Sequence, residues 1–93
     1  MGTVTVRVVV DGVVQGVGYR EWTCAEAMKL GVDGWVRNRR DGTVEAAFRG
    51  PVEAVETMLA RLRKGPRGST VTGVAAEAWR GAMDPGFQVV PTV

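Results

Sequence analysis

The sequence predicts an α+β sandwich, two helices laid on one face of an antiparallel sheet, in the order β-α-β-β-α-β with a short extra strand at the end. Three observations carry that expectation. Valines alternate along the opening run, with Val4, Val6, Val8 and Val10 on one side and Thr5 and Arg7 on the other, as in a strand with one buried and one wetter face. Two helical stretches follow, each closed by a glycine: Tyr19–Leu30 before Gly31, and a stretch opened by Gly50-Pro51 and ended by Gly65-Pro66. Between them, Gly34 to Phe48 has the pattern of two strands around a turn.

Taken in order, Val4–Val10 is the first strand, and Asp11-Gly12 is expected to turn the chain. The first helix places Tyr19, Thr23, Ala27 and Leu30 along one side. Gly31 is positioned to stop it in the left-handed conformation, and Trp22, Cys24 and Met28 are expected to complete the packing. In the hairpin, the faces decide the turn length. A two-residue Asp41-Gly42 loop would set Arg37 and Arg39 beside Val44, Ala46 and Phe48. A three-residue Arg40-Asp41-Gly42 loop, with glycine in the left-handed bulge position, aligns Val36 with them instead. That register is preferred, and it turns Asn38 towards the core.

Proline sits at a tolerated first-turn position of the second helix. Val52, Val55, Met58, Leu59 and Leu62 form its apolar stripe, with Glu53, Glu56, Arg61, Arg63 and Lys64 facing water. After a loop at 67–70, Val71–Trp79 reads as a strand with an irregularity near Gly73, and Phe87–Val90 as a short final one. The element order is that of a ferredoxin-like sandwich.

The composition bounds the function. With 93 residues there is room for one domain, residues 1–93, and no repeat or linker divides it. A net charge of +2 is too small for a nucleic-acid-coating surface. The arginines at 37, 39 and 40 near Trp35 could suggest RNA, but the first and third strands lack the paired aromatics of RNA-recognition sheets. One cysteine, Cys24, permits no intramolecular disulfide, and without any histidine a Cys–His nucleophile is excluded. No clustered carboxylates or cysteines suggest a catalytic metal, and no cofactor motif is present. The first residues carry no leader pattern, and no apolar run approaches the ~20 residues of a membrane span. A cytoplasmic monomer that binds neither membrane nor nucleic acid is expected.

Two places could carry chemistry. Gln15-Gly16-Val17-Gly18-Tyr19-Arg20 leads from a strand into a helix. Its glycines allow a turn in which backbone N–H groups converge, and the positive helix end adds to the attraction for an anion. Arg20 opposes the helix dipole unless an anion lies between them. A glycine turn followed by a solvated arginine is the competing reading. Asn38 needs partners at the end of an apolar row, and its position alone fits a turn-stabilising role equally well. In the expected topology the end of strand one adjoins the start of strand three. The loop and the hairpin bearing Asn38 then meet at one rim of the sheet.

The run Gly12-x-Val14-Gln15-Gly16-Val17-Gly18-Tyr19-Arg20 closely resembles one signature of the acylphosphatases. Gly34-Trp35-Val36-x-Asn38-x-x-Asp41-Gly42-Thr43-Val44 through Gly50 resembles the second. The resemblance spans the whole chain, and Phe87–Val93 departs from the basic or aromatic ending of many relatives. It implies metal-independent hydrolysis of acyl phosphates, with inorganic phosphate as product and competitive inhibitor. It also implies that residues Gln15, Gly16, Val17, Gly18, Tyr19 and Arg20 bind phosphate, that Arg20 and Asn38 are catalytic, and that Asn38 positions the attacking water. The chemistry is compatible with so spare a residue set. A carboxylate leaves without protonation, and a loose phosphoryl-transfer transition state needs a positioned water more than a deprotonated one. A non-catalytic anion-binding or regulatory module on the same fold is the alternative.

Overall fold

The computed structural model describes residues 2–93 and contains the strands β1 (Thr3–Val13), β2 (Asp33–Asn38), β3 (Val44–Pro51), β4 (Thr70–Ala78) and β5 (Phe87–Val89). Helix α1 (Tyr19–Leu30) links β1 to β2, and α2 (Val52–Lys64) links β3 to β4. The sheet order is β4-β1-β3-β2-β5. The four strands β4, β1, β3 and β2 pair antiparallel, as the ferredoxin-like sandwich requires. β5 adds a parallel partner to β2, so the complete sheet is mixed.

The valine alternation of β1 does what the sequence implies. Val8 and Val10 are fully buried, and Val4 and Val6 pack against the same cluster. From β2 and β3 the cluster takes Val36, Val44, Ala46 and Phe48, and the helices close it with Tyr19, Ala27, Val55, Met58 and Leu62. Thr23 shares the buried side of α1, and its hydroxyl donates to the Tyr19 carbonyl at 2.8 Å, leaving no unpaired hydroxyl there. Gly31 ends the helix at φ 67°. The N–H of Val32 then bonds the Ala27 carbonyl at 3.0 Å.

Two local expectations are corrected. Asp11-Gly12 is not a turn: β1 runs through it to Val13. The glycine instead serves a bulge, since Asp11 pairs with Gly73 and Gly12 with Val71, leaving Thr72 as the extra residue on β4. Gly12 adopts φ 127°, and a Cβ there would run into the Thr70 carbonyl oxygen. The irregularity expected near Gly73 is the other half of this feature. Met28 does not pack: it is 67% exposed. A full turn beyond Cys24, it lies off the stripe of Tyr19, Thr23 and Ala27, whereas Trp22 does lie against the core.

The sheet face away from the helices carries charge and aromatic rings. Glu45 is only 5% exposed there and accepts hydrogen bonds from the Nε atoms of Arg7 (2.6 Å) and Arg37 (2.7 Å). Burial by itself would raise the Glu45 carboxyl, but the two arginine hydrogen bonds outweigh it and hold the pKa below the usual value. The Arg37 guanidinium lies 4.6 Å from the centre of the Trp35 ring, which meets Trp79 edge-on at 5.9 Å. Among the described residues, no helix is long and apolar enough to cross a membrane.

Candidate active site

The chain leaves β1 through buried Val14 and bends from Gln15 to Gly18 before α1 begins. Gly16 and Gly18 both take left-handed conformations, at φ 74° and 77°. A Cβ at either would meet nothing, so the requirement is for the backbone conformation and not for space. Gly18 caps the helix without a side-chain hydrogen bond, and the first helical bond runs from the Trp22 N–H to the Gly18 carbonyl at 3.0 Å. Among the described residues, no backbone N–H from Gln15 through Arg20 has an acceptor. A row of unpaired donors thus stands at a helix N-terminus, where the peptide dipoles add positive potential. Arg20 occupies the first turn, partly buried, and forms no ion pair among the described residues.

The hairpin takes the three-residue loop. The Arg39 N–H bonds the Thr43 carbonyl at 2.9 Å, enclosing Arg40, Asp41 and Gly42. Asp41 stiffens the loop by accepting from both the hydroxyl (2.6 Å) and the N–H (3.0 Å) of Thr43. Those bonds draw the Asp41 pKa down. Asn38 pairs with Val44, which pairs with Val10, so the three form one row across the sheet on the core side. At the end of that row the Asn38 Oδ1 atom is buried and accepts no hydrogen bond. An orphaned acceptor of this kind is uncommon in folded chains and costs stability.

The loop and the hairpin meet through Gln15. Its Nε2 donates to the carbonyl oxygens of Arg39 and Thr43, both at 2.8 Å, and those residues flank the hairpin loop. Tyr19 is likewise committed elsewhere: its hydroxyl donates to the Leu62 carbonyl at 2.8 Å, and burial pushes the phenol far above its ordinary pKa. At both positions only the backbone remains for an anion. The sequence reading missed the Gln15 clamp, and it missed a second brace. The C-terminal segment continues beside β2, where the Val93 N–H bonds the Asn38 carbonyl at 3.2 Å and the Arg40 N–H bonds the Val93 carbonyl at 2.8 Å. Among the described residues, no three His, Cys, Asp or Glu side chains gather into a metal-binding group.

The acylphosphatase family model matches residues 6–89, nearly the whole chain. The chain belongs to the acylphosphatase family. An acylphosphatase of Nitrobacter hamburgensis is 51% identical over 100 aligned residues, covering 100% of both chains. Among solved structures, the acylphosphatase of Bacillus subtilis superposes with a TM-score of 0.88 at 36% identity, over 94% of this chain and 98% of that one. An acylphosphatase from Coxiella burnetii gives 0.90 at 31% identity, over 95% and 93%. Acyl phosphate hydrolysis is therefore the activity of this acylphosphatase, and the reading as a non-catalytic anion-binding module is not favoured.

Proposed function

We propose that the loop Gln15–Arg20 binds the phosphoryl oxygens of an acyl phosphate through its unpaired N–H groups. Arg20 neutralises their charge, and Asn38 orients a water molecule for direct in-line attack. One observation carries this reading: a buried, unpartnered Asn38 oxygen beside a loop of unpaired donors. A water donating to Oδ1 would satisfy the acceptor and present its lone pair to phosphorus. The fork of Arg20 matches two phosphoryl oxygens at once, and the helix dipole acts in the same direction.

The bond that breaks joins phosphorus to a carboxylate oxygen, and the leaving carboxylate is stable at neutral pH without a proton. No general acid is needed. The water's proton passes to an oxygen of the substrate or product. Inorganic phosphate, the product, occupies the same loop and inhibits competitively. The protein works as a single domain of residues 1–93, a cytoplasmic monomer without metal, cofactor or nucleic-acid partner. Trp35, already engaged by Arg37 and Trp79, supports the last point.

The test is phosphate release from a simple acyl phosphate beside a phosphate monoester, each with and without exhaustive chelation. Turnover is expected for the acyl phosphate alone and unchanged by the chelator. Comparable monoester hydrolysis, or activity lost to EDTA and restored by a divalent ion, would refute the mechanism.

A further inference from the structure

The two amide side chains of this region have opposite circumstances. Asn38 keeps a buried oxygen without a donor, while both N–H bonds of Gln15 are directed at carbonyls on the hairpin. Carbonyl oxygens only accept, so the nitrogen of the Gln15 amide must face them. Those two carbonyls belong to Arg39 and Thr43, which are already joined by the 2.9 Å bond that closes the neck of the loop. Gln15 therefore grips the neck from the cradle side, one residue beyond Asn38. The other links to this neck come from the hairpin itself and from Val93.

We infer that the Gln15 side chain is a positioning residue for hydrolysis. It fixes the hairpin against the loop so that the Asn38 amide stands at the right distance from a phosphoryl group held by the loop. It does so without touching the substrate. The inference rests on the roles proposed above for the loop and Asn38, and it separates the two parts of Gln15: the backbone N–H binds and the side chain aligns. Loosening the clamp leaves the anion site intact and blurs the position of the water. A displacement near 1 Å costs on the order of 10²-fold in rate.

The experiment is a double-mutant cycle on the full chain. Gln15→Met preserves length and removes both donors. With an acyl phosphate as substrate it should lower kcat by about 10- to 100-fold while KM and the inhibition constant of inorganic phosphate stay within about threefold. In the Asn38→Ala background the same change should cost less than about threefold, because the group it aligns is gone. Gln15→Glu supplies an independent readout. Its ionised carboxylate would face two carbonyl oxygens, whereas the protonated acid can donate one of the two lost bonds. Its kcat should rise as pH falls from about 7 to 5, with a carboxyl pKa raised by those oxygens, while the wild-type kcat stays flat. Wild-type kcat in Gln15→Met, an equal loss with and without Asn38, or a flat profile in Gln15→Glu would each overturn the inference. Unchanged turnover in Asn38→Ala would instead overturn the role of Asn38 on which it rests.

Discussion

Replacing Asn38 with alanine should stabilise the protein and disable it. The two effects have opposite signs because they arise from the same atom. In the folded chain the Asn38 Oδ1 is buried without a donor from the protein, and whatever part of the roughly 1–3 kcal/mol cost of an unpaired acceptor a bound water does not relieve weighs against the folded state. Alanine removes the acceptor, and its methyl group remains compatible with the apolar row of Val44 and Val10. A net gain of about 1 kcal/mol would raise the melting temperature by roughly 4–8 °C in a domain of this size. Turnover should fall by ~10²–10³, the usual cost of one positioned hydrogen-bonding group. kcat and kcat/KM should fall together, with phosphate inhibition nearly unchanged, because the interaction is made in the transition state. The assay is kcat, phosphate inhibition constant and thermal midpoint on one preparation. A turn-stabilising Asn38 forecasts the reverse: a lower midpoint with binding and turnover damaged alike. That outcome, or wild-type kcat at any stability, would refute the reasoning.

Arg20→Lys keeps the charge and loses the planar fork, so phosphate inhibition and turnover should both largely disappear; near-normal phosphate affinity would remove Arg20 from the site. The wild-type kcat should be flat from mildly acidic to neutral pH, since the proposed mechanism uses no general acid or base, and a bell centred near neutrality would reveal an unrecognised acid–base pair. Stability should behave differently, because the Glu45 pKa is lowered on folding. Its contribution is complete above the ordinary glutamate value and is lost as pH falls through the lowered folded value. Melting curves across that acidic range should show a shallower decline in Glu45→Gln than in the wild type, and identical slopes would mean that Glu45 does not govern the acid limb.

Much of the fold could be read because the relevant signals are local. The valine alternation of β1 and the stripe Val55, Met58, Leu62 of α2 are set by backbone period, and both reach the core. The hairpin register followed from matching apolar faces around a loop of counted length, and the Asn38–Val44 pair agrees with it. The misread turn depends on neighbours distant in sequence. Gly12 carries the same turn signal as any Asp-Gly pair. Only the approach of the Thr70 carbonyl makes it a bulge within a continuing strand. Met28, a full turn beyond Cys24, lies off the stripe of Tyr19, Thr23 and Ala27 and stays exposed.

The site divides along the same line. Left-handed glycines at 16 and 18 could be anticipated, since the conformation they permit is a property of the residues themselves. The fate of an amide is not such a property. Gln15 and Asn38 offer the same donors and acceptor, and both lie near the ends of elements. One donates both of its N–H bonds to backbone carbonyls while the other retains a buried oxygen without a partner. What distinguishes them is whether backbone carbonyls able to accept a second hydrogen bond lie within reach. At the neck of a three-residue hairpin loop, the Arg39 and Thr43 carbonyls lie within reach of a side chain on the adjoining loop. Gln15, two residues past the end of β1, is where the fold delivers one. Asn38 is the last residue of β2 and faces the apolar row of Val44 and Val10, while the strand backbone beside it is turned into the sheet. Its amide therefore has no backbone partner to satisfy it, and that deficit is what leaves it free to take a water.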